Sequence, residues 1–409
     1  MAGILLVNLL SAFVWFDVTV LGLPVLIWCA LAAGAYYVYA FFFKKRLLTA
    51  LKTNLFLTFF VVQGLVWLGL SYLGMAGWSP LSCRFPTSLS YAPRQAYYLA
   101  FLPLVVVPSL LGDGQAAYAF LKKYGLLAAA AYWLFASHFA GGVNAFSVSP
   151  QSLYLLLALC LFSDRRDPFA WALAAFLWLL PSGGTGDSSV LLLRLLFTGL
   201  FLLGDRAWVQ RLSIIVLPCI LVVSLALPLI RPLVNYIDKD SGLDATVGFR
   251  AAIWADEDRA LVDSHGVGVG FGTTYASDEL VADVWPAELG ANDEYTAAQR
   301  PFVTAPHSSF VAVAFRQGLI GLALFSGLFV SLWRRIRRHA LAAERPQLLF
   351  LLLGAMLLFS VNVGLESPQY FEVFLLAFGW LFLRLYGRPK AAAQGVDKGK
   401  SEGESENAA

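Results

Sequence analysis

Long apolar runs separated by short basic or polar gaps constrain this chain more than any other feature. They fall near residues 3–22, 23–43, 53–75, 96–112, 125–145, 150–163, 168–181, 189–204, 212–230, 308–333, 346–364 and 370–386. A helix crossing a bilayer needs roughly 20 mostly apolar residues, and tilt or local thinning accommodates shorter ones, so the pattern predicts about twelve spans. Composition agrees, with 59% hydrophobic and 13% charged residues and a mean hydropathy of +0.70. A soluble domain of 409 residues has no interior able to hide that much apolar surface. The expected fold is therefore an all-α polytopic membrane protein. Met-Ala-Gly at the start lacks the basic region of a cleaved signal, and a second apolar run follows directly. The first run is expected to stay as a span.

Basic residues cluster in alternate gaps: Lys44, Lys45, Arg46 and Lys52; Lys122 and Lys123; Arg165 and Arg166; Arg206 and Arg211; Arg334, Arg335, Arg337 and Arg338; Arg388 and Lys390. The positive-inside rule makes these gaps cytoplasmic, which puts both termini inside and the 231–307 loop outside. Four regions follow: an N-terminal bundle over 1–230 (spans 1–9), an external loop domain with short helices over 231–307, C-terminal spans 10–12 over 308–387, and a polar, low-complexity cytoplasmic tail over 388–409 that is expected to be disordered. Of the four cysteines, Cys29, Cys83, Cys160 and Cys219, one (Cys83) falls in a predicted external gap, so the thiols read as small apolar fillers and not as a disulfide or metal framework.

An ionisable side chain within hydrocarbon costs roughly 2.5–3.5 kcal/mol on insertion scales, so those inside the runs are informative. Asp17 and His138 lie near predicted external ends and read first as wetted structural groups. Arg194 follows the external segment 182–189, at a depth of roughly 8 Å below Ser189 and within snorkelling reach of an anionic headgroup; pairing with Asp187 is the equal alternative. Arg316 falls in the run that begins at 308, where a buried pair or a structural contact is the expected role.

The 231–307 loop is rich in acids, which keep it solvated and argue against a nucleic-acid surface. Within it, Val247 to Ser264 reads as a helix whose apolar face gathers Phe249, Ile253, Trp254 and Leu261. Arg250 sits on that same face and needs either a partner, with Glu257 two turns on as the candidate, or an anion. Arg259, on another face, reads as solvated, and His265 as a surface histidine. Gly266-Val-Gly-Val-Gly-Phe-Gly follows, without the Gly-Lys-Ser/Thr ending of a phosphate-binding loop, and reads as a connection passing close to other backbone. The loop ends at His307, where the next apolar run begins. An imidazole there is ionisable near neutral pH at the water edge of a bilayer, within reach of lipid-held substrates.

Arg250 and Trp254, the glycine run from Gly266, and His307-Ser308 followed after nine residues by Gly318-Leu-Ile-Gly321 together resemble the signature of the O-antigen ligase and polymerase superfamily. The ligase pattern is His, then Asn, Ser or Gln, nine residues, Gly, two residues, then Gly, Thr or Tyr; this chain matches each fixed position. The resemblance covers roughly residues 180–390. Many members carry a Ser-Arg pair at the external start of the span that holds Arg194, where this chain reads Thr185-Gly-Asp-Ser-Ser.

The resemblance implies a GT-C-like membrane enzyme that moves a glycan from undecaprenyl diphosphate to an acceptor sugar hydroxyl on the periplasmic face of the inner membrane. In the ligase the acceptor is the lipid A core; in the alternative, a polymerase, it is another lipid-linked repeat. His307 is implied as general base and Arg250 as a diphosphate-binding group, with Arg194, Arg231, Trp254 and Ser308 as further substrate-binding candidates. The residue types suit that chemistry independently. Guanidinium groups neutralise a diphosphate leaving group by paired hydrogen bonds, and imidazole accepts a hydroxyl proton. No carboxylate or histidine cluster has metal-ligand spacing, so neither a metal nor an organic cofactor is expected. A transporter or flippase is the reading from another class. It calls for ionisable pairs near mid-membrane and matching broken helices in two halves, whereas here the unusual polar groups gather near the external boundary.

Overall fold

The computed structural model describes residues 54–73, 85–111, 245–280, 300–303, 308–342, 344–361, 364–366 and 368–386, with Thr19–Val20, Leu23–Pro24, Pro306 and scattered single helical residues such as Arg194 and Gly199. Asp17, Cys29, Cys83, His138, Cys160, Asp187, Arg231, His307 and the tail beyond Lys390 lie outside the described residues. Among the described residues the regular structure is helical apart from one minimal antiparallel pairing, β1 (Thr19–Val20) with β2 (Leu23–Pro24), and an isolated bridge between Thr87 and Thr273.

The helices are α1 (Leu55–Tyr72), α2 (Ala92–Leu111), α3 (Ala245–Asp263), the single turn α4 (Arg300–Val303), α5 (Ser309–His339), α6 (Arg345–Val361) and α7 (Pro368–Tyr386). Two of them, α1 and α5, are long and apolar enough to cross a membrane. Asn54 starts α1 by accepting a hydrogen bond from the Leu57 amide at 3.2 Å, satisfying one of the orphan donors of a helix start. The last turn of α5 carries Arg337 and Arg338, cations placed where the helix dipole is negative.

Helix α5 is the axis of the described fold and packs against α1, α3, α6 and α7, while α2 lies against α1 and α7. An aromatic column fills the contact. The Phe325 ring lies 5.2 Å from Phe60 of α1, 5.1 Å from Phe310 and 5.3 Å from Phe359 of α6, and Phe329 continues the column to Phe378 of α7 at 5.8 Å. Edge-on and tilted ring pairs at these separations add to the stabilisation from burial alone. The pairing of α1 with α5 is antiparallel along its whole length. Asn54 donates to Ser331, a side chain at Gly327 would strike Phe56, Gln63 donates to the Gln317 carbonyl, and the Trp67 indole donates to the Val267 carbonyl.

One expectation is corrected here. The run from 308 reads as a single uninterrupted span, but α5 is broken at Gly318, whose backbone takes φ 71° and ψ −171°. The glycine run enters that break. Gly266, Gly268, Gly270 and Gly272 all adopt positive φ, between 78° and 86°, which accounts for glycine at every second position. The Val269 amide donates to the Phe315 carbonyl at 2.8 Å and the Gly270 amide to the Arg316 carbonyl at 3.0 Å; the Leu319 amide donates back to the Gly266 carbonyl at 2.8 Å. A helix break ordinarily strands these groups, and here the loop pairs them.

Candidate functional site

The glycine run is held from its other side by residues that precede α2. The Thr274 amide donates to the Pro86 carbonyl and the Ser88 amide to the Gly272 carbonyl, at 3.0 and 2.7 Å. Gln95 of α2 completes the arrangement, accepting from the Gly272 amide at 2.7 Å and donating to the Thr273 carbonyl at 2.9 Å. The loop thereby becomes a rigid piece joining the end of α3 to the middle of α5.

Arg316 locks this piece from inside. It is 2% exposed, and its guanidinium donates to the Gly270 carbonyl (3.1 Å), the Thr273 hydroxyl (2.9 Å) and the Thr273 carbonyl (3.2 Å), while stacking 4.1 Å above the Tyr275 ring. The structural role expected for Arg316 is the one observed. A charged group at this depth is tolerated because carbonyls and an aromatic face replace its water.

Two carboxyl groups share its surroundings. Glu257 of α3 is buried, and neither carboxyl oxygen has a hydrogen-bond partner among the described residues. Burial pushes its carboxyl well above the usual carboxylate range, and Arg316 offsets part of that rise. Among the described residues the cation acting on Glu257 is Arg316. Glu366, in the turn between α6 and α7, is half-buried as a residue with its carboxyl enclosed. It accepts from the Ser309 hydroxyl at 2.7 Å, and Ser309 in turn accepts from the Leu365 amide at 3.0 Å. Burial pushes Glu366 up to about 7, against the opposing pull of Ser309, the backbone amides and Arg316.

The candidates read from sequence are distributed around this cluster. His307 lies outside the described residues, but both neighbours are described and buried. The Pro306 carbonyl accepts a hydrogen bond from the Trp254 indole of α3, and Ser308 caps α5 with a hydroxyl that has no hydrogen-bond partner among the described residues. Arg250 is helical, two turns from Glu257 along α3, with its side chain outside the described residues. Trp254 and the residue before His307 are therefore brought into contact across 52 positions of sequence. Arg194 is helical and buried; Gly199, also helical, lies beside α6, where an added Cβ would sit 3.6 Å from the Phe350 ring. Arg231 lies outside the described residues. Among the described residues no group of three or more His, Cys, Asp or Glu could hold a metal ion.

Sequence reasoning missed Glu366, Ser309 and Thr273 as members of the cluster. The one available signal was Ser309 following His307-Ser308 directly, and nothing local marked its partner. No family model, curated protein or solved structure matches the chain.

Proposed function

We propose that the chain is a polytopic membrane glycosyltransferase with about twelve spans. In this reading it moves a glycan from undecaprenyl diphosphate to a sugar hydroxyl of a lipid A core at the periplasmic face of the inner membrane, and it needs no metal. The observation that carries the reading is the Trp254 indole bound to the Pro306 carbonyl, because it ties the helix of Arg250 to the residue preceding His307. Two separated parts of the pattern are thereby joined, and the glycine run between them packs into the break at the pattern's own Gly318.

In this reading Arg250 takes the diphosphate, whose negative charge grows as the glycosidic bond to it breaks. His307 removes the acceptor hydroxyl proton as the new glycosidic bond forms, a contribution typically worth roughly 10²–10⁴-fold. Arg316 is already committed to Gly270 and Thr273, so it holds the site together and leaves the diphosphate to the other arginines.

The test supplies purified protein with a lipid-linked glycan in the presence of chelator, with and without a lipid A core acceptor. Glycan joined to the core is the expected product. Lengthened lipid-linked chains in its place would make the enzyme a polymerase, and no covalent product with either acceptor would overturn the enzymatic reading in favour of transport. Arg250→Ala is expected to raise the donor concentration needed for half-maximal rate, and an unchanged donor dependence would return Arg250 to a structural role.

A further inference from the structure

The positions of charge along the sequence put all of 231–307 outside the membrane, yet the glycine run does not lie beyond the ends of the spans. Helix α1, with 18 residues, is about 27 Å long, close to the ~30 Å of a bilayer core. The Val267 carbonyl accepts from Trp67 at 3.1 Å and the Phe271 amide donates to Ser71 at 2.9 Å, so the run lies alongside the last turns of α1. Leu319 and Ile320, beside the break in α5, are deeper. They adjoin Gly321 and Gln317, both of which meet Gln63, and Gln63 is roughly 13 Å along α1 from Tyr72.

Two further observations fit that depth. Every amide from Val267 to Gly272 donates to protein, in turn to the Ser264 carbonyl, the Ser264 hydroxyl, the Phe315 and Arg316 carbonyls, the Ser71 hydroxyl and the Gln95 amide oxygen. Non-helical backbone without water requires its amides to be paired within the protein, whereas a water-washed loop does not. The outer side of the same region is apolar and uncovered among the described residues, with Val267 49%, Leu319 55% and Ile320 62% exposed. Arg259 and His265, exposed on the α3 side of the run, suit the headgroup level above it.

We propose that Ser264–Phe271 is a re-entrant wedge held at bilayer depth in the break of α5, and that Val267, Leu319 and Ile320 face the hydrocarbon chains of bilayer lipids. This rests on the membrane part of the reading above and is independent of the glycan chemistry. The surface continues at the level of the uncovered α1 residues Val62 and Val66, which is why lipid chains, and not a second protein, are the occupant.

The experiment reconstitutes the full chain in phosphatidylcholine vesicles containing a phosphatidylcholine with a diazirine on its acyl chain, and maps photocrosslinks peptide by peptide. Crosslinks at Val267 and at Leu319 or Ile320, alongside the α1 control at Val62, are expected, with none at the exposed Asp278. A crosslinked Val62 with an uncrosslinked Val267, Leu319 and Ile320 would overturn the wedge alone; no crosslink at Val62 would overturn the membrane reading as well. In a second arm, a charged impermeant maleimide is expected to label Val267→Cys at least about tenfold more slowly than Asp278→Cys, since a thiol in hydrocarbon does not ionise. Equal rates would place Val267 in water and contradict the proposal.

Discussion

Arg316 donates to three acceptors of the loop that enters the break in α5. Replacing it with alanine strips donors from the Gly270 carbonyl and both Thr273 acceptors and removes the cation facing Glu257 and Glu366. Each buried group left without a partner costs on the order of 1–3 kcal/mol, so Arg316→Ala is expected to lower the melting temperature in detergent by several degrees. Arg316→Lys should rescue little, because an ammonium lacks the planar fork that reaches both Gly270 and Thr273. A lysine variant with unaltered melting would contradict that account.

Glu366 makes a pH prediction. Its carboxyl stands at about 7 in the folded chain against an ordinary value of 4.5, so the folded state binds more protons between those limits. Stability therefore falls as pH rises through that window and levels off above it. Glu257, also raised, contributes with the same sign. Melting curves recorded from pH 5 to pH 8 should show a downward slope that Glu366→Gln reduces, since glutamine still accepts from Ser309 but does not ionise. A slope unchanged by the substitution would show that Glu366 is not its source.

Among elements, the seam between the glycine run and broken α5 has no room for a methyl group. A Cβ at Gly318 would lie 2.3 Å from the Gly266 carbonyl oxygen, and one at Gly268 would lie 2.5 Å from the Gly318 amide nitrogen. Gly268→Ala and Gly318→Ala are each expected to destabilise severely. Because both disrupt one seam, the double variant should fall short of the sum of the singles by about 1 kcal/mol or more. Gly69→Ala is the contrasting case: nothing lies within 4 Å of its added methyl, and helix propensity favours it by about 1 kcal/mol. Thermal unfolding of the four variants checks all of these.

Much of each helix was legible in sequence. The run 53–75 contains α1, and the span 247–264 read from 3.6-residue periodicity corresponds to α3 at Ala245–Asp263. Ile253 and Leu261 are buried and Arg259 is exposed, as the same periodicity implies, and His265 is exposed as a surface histidine. The close backbone approach of the glycine run was legible too, because alternating glycines have few other uses. The break at Gly318 was not. Gly321 and Gly327 sit in the same apolar run and stay helical, so what singles out Gly318 is a loop arriving from fifty residues away. Glu257 read as a possible partner for Arg250 and Glu366 passed without remark; their burial follows from packing against α5, which no local pattern records.

At the scale of the molecule, the antiparallel pairing of α1 with α5 puts the Gly266–Gly272 run, Arg316 and the Ser309–Glu366 pair toward one end of the bundle. The basic end of α5 and the ion pair of Arg384 with Glu344 lie toward the other. In the topology proposed from the positive-inside rule the second end is cytoplasmic, and the expected outcome is that reagents reach the α6–α7 turn and Asp278 from outside and the α5–α6 connection from inside. The most direct trial of the whole account measures glycan transfer from a lipid diphosphate donor by purified His307→Ala. A rate lower by roughly 10²–10⁴-fold, with the protein folded and in the membrane, is the predicted result. Transfer at the unaltered rate would contradict it.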